Sequence, residues 1–410
     1  MKVITDKALI AELLTRSVDS VYPNREVMEK ALLSGKQLII YVGIDPTADY
    51  VHLGHSTNYL LLERLHKLGH KIIVLVGDFT AMIGDPSDKI SERIRLTRDQ
   101  VEQNLKTFKS QIGKILDFNN KENPIEFRFN SEWLSKLSFE QVIDLASNFT
   151  VQHMLERDLF EKRMKENKPL HVHEFFYPLM QGYDSVALNV DIEIGGTDQT
   201  FNMLAGRTLV KRYLNKEKFV ITTTLLTNPV TGEKLMSKSL GTGVGLNLAP
   251  QDMFGKVMAL ADAGIIQVFV DCTRFSLDDI GVIRKRLESG ENPKKIKLEL
   301  AHEIVRMYHG EAAAKEAEEA FEKTFAKGGV PDDVLEVKFS KGDSLAELLI
   351  KAGVVESKAD WRRLIDGGAV HAVAGVSDDA KDEKITDPNF VPKETVVLKI
   401  GKRRFVKVLI

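Results

Sequence analysis

Cysteine is nearly absent: one residue, Cys272, stands in a chain of 410. That count excludes an intramolecular disulfide and any multi-cysteine zinc site. Net charge is almost absent too, at −2 from 57 basic and 59 acidic side chains. No overall electrostatic pull toward nucleic acid or anionic membranes follows, so any basic surface must be local. The opening MKVITDKALIAELLTRS lacks the continuous apolar stretch of a signal peptide, and no later segment approaches a membrane span. A cytoplasmic protein with no membrane partner is the expectation. Internal repeats and low-complexity tracts are missing as well. What is present is an ordinary globular balance, 43% hydrophobic and 28% charged, over a length that implies two or three domains.

KQLIIYVGI (Lys36–Ile44) is a short apolar run stopped by Asp45 and Pro46, which predicts a buried strand ending in a loop. A helical spacing of Leu61, Leu62, Leu65 and Leu68 follows, with Gly69 as its stop, and KIIVLVGD (Lys71–Asp78) is the next apolar run. Strand, helix and strand in that succession predict a βαβ unit and hence a parallel sheet. PIEFRFN (Pro124–Asn130), NVDIEIGG (Asn189–Gly196) and KFVITTTLL (Lys218–Leu226) are further strand candidates. The mostly helical pattern between them reads as an insertion between two halves of one sheet. Helical patterns dominate from Pro250 to about residue 326, GGVPDD reads as a linker, and a small mixed unit closes the chain.

The stretch DPTADYVHLGHS carries His52 and His55 in an H-x-G-H spacing just after the first run. A zinc reading needs further ligands, for which only His171 and His173 in HVH offer themselves. A pair of satisfied core histidines is the plainer alternative. The position argues against both. A strand-to-helix turn at the carboxyl edge of a parallel sheet is where open α/β folds bind ligands. Gly54 permits close backbone approach, and the helix start behind it attracts phosphate. Two imidazoles there suit phosphoryl oxygens. EKLMSKSLGTG (Glu233–Gly243) is the natural partner, a loop whose Lys234 and Lys238 can close over a nucleotide tail and neutralise developing charge.

The two elements together resemble the HIGH and KMSKS signatures of class I aminoacyl-tRNA synthetases. Leu235 stands where the second signature has its first lysine. Whether Lys234, one residue earlier, takes over that charge is left open, and the role rests mainly on Lys238. The resemblance extends over nearly the whole chain to the bacterial tyrosyl-tRNA synthetase family. YVGIDPTADYVHLGH, VGDFTAMIGDPSDKISER, EFFYPLMQGYDSVAL and IGGTDQTFNMLAGR match its motifs in order, with Asp88 replacing a usual glycine.

The resemblance implies that the chain activates L-tyrosine with ATP and Mg²⁺ to tyrosyl-adenylate and pyrophosphate, then transfers tyrosine to tRNA(Tyr). No zinc and no organic cofactor are expected. Tyr41 and Asp184 would bind the phenolic hydroxyl of tyrosine. Asp85, Tyr177 and Gln181 would hold its ammonium group, and Gln199 its carboxylate. Asp198 would bind the ATP ribose, Gly43 and Gly54 would allow close approach, and Asp45 would support the nucleotide site. His52, His55, Lys89, Arg93 and Lys238 would stabilise the transferring phosphates. Entry of phenylalanine would leave polar groups unpaired at the phenol end, which is costly.

The implied fold is α/β. A Rossmann-like parallel-sheet catalytic domain spans residues 1–245, with a helical, homodimer-forming insertion at about 130–188. A helical anticodon-side domain spans 246–330, and a small α+β C-terminal RNA-binding domain of the ribosomal-protein type spans 335–410. In the last, Lys358, Arg362 and Arg363 would contact RNA together with Lys402, Arg403, Arg404 and Lys407 of GKRRFVKV. Three rivals exist: a tryptophanyl enzyme of the same fold, a non-catalytic RNA-binding relative, and a nucleotidyltransferase with a similar H-x-G-H. Tyr41 and Asp184 oppose the first, the intact signatures the second, and the full pocket set the third.

Overall fold

Short apolar runs rich in β-branched residues and stopped by glycine, proline or aspartate become strands rather than helices. The computed structural model describes residues 2–85, 96–232, 234–236, 242–323, 335–339, 343–373, 383–392, 395–401 and 404–410. All five expected runs form strands: β2 (Ile39–Ile44), β3 (Lys71–Val76), β4 (Glu126–Phe129), β5 (Ile192–Gly196) and β6 (Phe219–Thr223). A strand absent from the sequence reading, β1 (Val18–Tyr22), precedes them. None of its residues is fully buried, so it offers no apolar run to read. The sheet order is β1-β6-β5-β2-β3-β4. β2 to β6 run parallel, and β1 lies antiparallel on the β6 edge.

That order makes β2 and β5 neighbours. The chain moves outward from β2 through β3 to β4, and outward in the other direction from β5 through β6. Loops leaving the carboxyl ends of β2 and β5 therefore diverge and open a crevice between them. The Leu53–Lys67 helix fills the connection from β2 to β3, burying Leu60, Leu61, Leu62 and Leu65. It stops at Gly69, whose φ of +94° is a left-handed turn suited to glycine. Between β4 and β5 the insertion is helical, ending in the long Val172–Ala187 helix that lies against the crevice.

Residues Met1–Ala314 form one compact unit. It includes the helices Pro250–Met258, Ile265–Cys272, Leu277–Glu288 and Pro293–His309. Their attachment is polar as well as apolar: the buried Arg16 guanidinium donates to the carbonyls of Val270, Thr273 and Phe275. The expected helical segment thus shares a unit with the sheet up to Ala314. Among the described residues no single helix is long and apolar enough to cross a membrane.

The second unit, Lys315–Ile410, has its own sheet in the order β7-β11-β10-β8-β9. These strands are β7 (Leu335–Lys338), β8 (Val370–Val373), β9 (Glu383–Lys384), β10 (Val396–Ile400) and β11 (Arg404–Leu409). The helices Leu345–Lys351 and Lys358–Asp366 cover it, as SLAELLIKAGV and SKADWRRLIDGG lead one to expect. Trp361 is the largest buried side chain of this core, and its indole N–H donates to the Pro388 carbonyl at 2.9 Å.

Candidate functional site

Backbone hydrogen bonds join the first signature to the segment that directly follows the second. Leu53 N–H donates to the Val244 carbonyl at 3.0 Å and Leu246 N–H to the Val51 carbonyl at 2.7 Å. Between them His52 and Gly245 form an antiparallel bridge. Upstream, Leu235 N–H donates to the Leu226 carbonyl at 2.8 Å, and Lys234 pairs with Thr227. Leu235 and Met236 are both buried. A Cβ on Gly54 would lie 3.6 Å from the Met236 Cβ, and the Leu235 side chain occupies the space beside Gly264. The leucine that departs from the signature is therefore an apolar anchor. Lys234 next to it is exposed, and its ammonium lies 3.5 Å from Asp198. Lys238 lies outside the described residues, as do Asp88, Lys89 and Arg93.

The first signature loop is fixed from behind. Val51 N–H donates to Gln111 Oε1 at 2.8 Å, Gln111 Nε2 donates to the Asp49 carbonyl, and Asn104 donates to the Pro46 carbonyl. At the helix start the two histidines take the place of the usual hydroxyl and carboxylate caps. His52 Nδ1 accepts from Gly54 N–H at 3.1 Å, and His55 Nδ1 accepts from His52 N–H at 3.2 Å. Their rings lie 3.8 Å apart between centroids. A ring that accepts at Nδ1 leaves Nε2 as the nitrogen able to donate. His171 and His173 are at the start of the Val172–Ala187 helix, where His171 N–H donates to Glu174. Among the described residues no group of three potential ligands could hold a metal.

Tyr41 and Asp184 both lie at the crevice, at 0% and 3% exposure. Asp184 accepts from Trp133 Nε1 at 2.7 Å and from Asn130 Nδ2 at 3.2 Å. Burial pushes its carboxyl well above the usual range, against the lowering effect of those two donors. The Tyr41 hydroxyl lies 2.9 Å from Ser185 Oγ. Burial and the negative charges of Glu193 and Asp184 raise its phenol, which stays protonated. Asn130 also donates to Thr80, Thr80 donates to Asp45 Oδ1 at 2.8 Å, and the Tyr177 hydroxyl donates to Asp45 Oδ2 at 2.9 Å. One chain of hydrogen bonds thus links Asp184 to Asp45 and Tyr177.

The remaining candidates are brought to the same crevice, some with partners the sequence did not indicate. Asp85 is paired with the buried Arg157 at 3.1 Å and accepts from Gln199 Nε2 at 2.6 Å. Arg157 in turn lies over the Phe160 and Phe201 rings. Gln181 donates to Glu193 at 3.0 Å. Gly43 faces open space at the end of β2, and Asp198 sits in the turn after β5. Asn130, Trp133, Arg157, Ser185 and Glu193 were missed by the sequence reading. Only Trp133, one of two tryptophans, had rarity as a signal.

In the second unit Lys358, Arg362 and Arg363 line one shallow depression with Asp366 and Gly367. Lys358 pairs with Glu347 at 2.6 Å and Arg363 with Asp360 at 2.6 Å. Arg404 donates to the Val354 carbonyl, and Lys407 pairs with Glu336. Lys402 and Arg403 lie outside the described residues.

Residues 33–326 match the family described as tRNA synthetases class I (W and Y). The chain is similar to the tyrosine–tRNA ligase of Carboxydothermus hydrogenoformans, at 44% identity over 97% of each chain. It is 43% identical to that of Haemophilus influenzae, over 99% of this chain and 98% of the relative. Its fold is like that of a truncated mitochondrial tyrosyl-tRNA synthetase from Aspergillus nidulans, with a TM-score of 0.65 at 22% identity, covering 77% of this chain and 94% of the other. It is also like that of an Archaeoglobus fulgidus tyrosyl-tRNA synthetase solved with L-tyrosine, with a TM-score of 0.60 at 20% identity, covering 76% of this chain and 100% of the other.

The hydrogen-bond chain through Asp45 depends on a missing side chain. A Cβ on Gly77 would fall 1.9 Å from Asp45 Oδ1 and 2.3 Å from Thr80 Oγ1. Gly77→Ala is expected to break the Thr80–Asp45 bond and cost about 1–3 kcal/mol. A denaturant melt with an unchanged midpoint would show that the crevice yields there freely.

Proposed function

We propose, because this chain belongs to the class I tRNA synthetases of the tryptophan and tyrosine group and within it to the tyrosine–tRNA ligases, that its crevice carries out tyrosine activation with the residues described above. The chain uses ATP, tyrosine and tRNA as substrates. The observation that supports the site assignment is the main-chain contact of residues 51–53 with 244–246, together with the connected hydrogen bonds that link Asp184, Asn130, Thr80, Asp45 and Tyr177.

In this reading the phenol of the substrate meets Asp184 and Tyr41, and its ammonium group meets Asp85, Tyr177 and Gln181. Gln199 faces the carboxylate. That carboxylate is already a nucleophile, so the first step needs no general base. It attacks the α-phosphorus of ATP, an acyl–phosphate bond forms, and the bond to pyrophosphate breaks. Catalysis is then positioning plus stabilisation of charge on the phosphates. The Nε2–H groups of His52 and His55 donate to phosphoryl oxygens, and Lys238, Lys89 and Arg93 supply positive charge. Mg²⁺ arrives with the pyrophosphate part of ATP. Asp198 holds the ribose, with Gly43, Gly54 and Asp45 shaping the nucleotide side. The adenylate then yields its acyl group to the terminal ribose of tRNA.

Lys234 is a further source of charge in this scheme. Its exposure and its 3.5 Å approach to Asp198 support a role on the nucleotide side for which Leu235, facing inward, is unsuited. The unit from 335 to 410 would grip tRNA through Lys358, Arg362, Arg363 and the basic β10–β11 hairpin. The insertion would form a homodimer interface, a reading favoured by the exposed apolar side chains Phe139, Ile143, Val151 and Val172.

The central test is exchange of pyrophosphate into ATP. Tyrosine is expected to drive it, and exchange driven by tryptophan alone would overturn the assignment. Asp184 must be ionised to accept the phenolic proton, and its carboxyl is raised. The KM for tyrosine should therefore climb as pH falls, starting above the ordinary carboxylate value of about 4. Asp184→Asn should remove that dependence and weaken discrimination against phenylalanine; a pH profile identical to the parent's would put the phenol elsewhere. Lys234→Met is expected to slow adenylate formation by about tenfold or more with the KM for tyrosine unmoved. An unaltered rate would assign the charge to Lys238 alone.

A further inference from the structure

Glu193 and Lys218 are a fully buried ion pair, at 1% and 0% exposure, in the floor of the crevice. Lys218 immediately precedes β6 and also donates to the Met203 carbonyl at 3.0 Å. Such a pair is a poor device for stability alone, because desolvation offsets much of its attraction. Room for it is kept by a glycine. A Cβ on Gly206 would lie 2.4 Å from the Lys218 ammonium nitrogen and 2.8 Å from Ser185 Oγ.

The carboxylate is also placed where the substrate-binding side chains meet. Glu193 is the register partner of Tyr41 across the β2–β5 pair. Its Oε1 accepts from Gln181 at 3.0 Å, and its Oε2 accepts from Ser185 Oγ at 3.3 Å as well as from Lys218. Gln181 and Ser185 are one turn apart on the Val172–Ala187 helix. Ser185 Oγ also lies 2.9 Å from the Tyr41 hydroxyl. Hydrogen bonds thus run without a break from Glu193 through Ser185 to the Tyr41 phenol.

We infer that Glu193, locked by Lys218, is a positioning residue that holds both ends of the amino-acid pocket, Gln181 at the ammonium end and Tyr41 through Ser185 at the phenol end. The inference rests on the tyrosine-activating reading above. Only an ionised carboxylate accepts on both sides at once. An amide in its place accepts on one side and donates on the other, so either Gln181 or Ser185 loses its acceptor and its orientation. Lys218 acts through Glu193, holding it in one rotamer.

The test uses the full chain, with wild-type exchange measured first. Absence of tyrosine-driven exchange there refutes the functional reading itself. In an active background, Glu193→Gln combined with Lys218→Met removes both charges at nearly constant volume. The double variant is expected to raise the KM for tyrosine by about tenfold or more and to lower the preference for tyrosine over phenylalanine. Its kcat and its KM for ATP should stay within about twofold of the parent. A folded double variant whose tyrosine KM and amino-acid preference match the parent overturns the inference, since a merely structural pair would move only the melting temperature. Should the double variant not fold, Ser185→Ala decides. It severs only the phenol-side link and should lower the preference for tyrosine, and an unchanged preference overturns the proposal.

Discussion

The site depends on a short seam of main-chain hydrogen bonds between residues 51–53 and 244–246. These segments are distant in sequence: the first contains His52, and the second follows directly on the lysine loop. The seam is made of peptide groups, whose donors and acceptors must be paired wherever they are buried. It therefore constrains the relative position of these two segments whatever side chains surround it. Leu235 and Met236 add an apolar clasp on the upstream side of the loop.

Around that frame the crevice is unusually polar for a buried place. Asp184, Asn130, Thr80, Asp45 and Tyr177 form one connected chain of hydrogen bonds, and Gln181, Glu193, Ser185 and Tyr41 form another. Buried polar networks are favourable only when satisfied, and each satisfied bond fixes an orientation. The cost of assembling them is met by the apolar layers of the sheet, above all β2 and β3 with the leucine face of the Leu53–Lys67 helix. A rigid polar cleft carried on a parallel sheet is what a reaction run by positioning requires.

Much of this was legible in the sequence, for identifiable reasons. Strands β2 to β6 announce themselves as apolar runs with clear stops, and Gly69 marks the helix end where it falls. The H-x-G-H turn and the lysine loop are paired in sequence by their resemblance to two known signatures, and Lys238 of the second lies outside the described residues. β1 escaped because an edge strand with no fully buried residue carries no periodic signal. Arg157, Glu193 and Lys218 escaped for a different reason. An isolated charged residue looks solvent-facing in sequence, and its burial follows from partners contributed by other elements. Glu193 becomes meaningful only once β5 is laid beside β2 and the Val172–Ala187 helix is placed over both. The departure at Leu235 was visible as a break in the motif, but its inward direction depends on the fold around Gly264.

The imidazole cap at the start of the Leu53–Lys67 helix carries a consequence of its own. Each ring spends Nδ1 on a backbone N–H, so the turn that starts the helix also decides which ring nitrogen is left over. Replacing either imidazole by a side chain without an acceptor there would loosen the helix start and remove the spare nitrogen together. At this corner of the molecule, folding and chemistry draw on the same two rings.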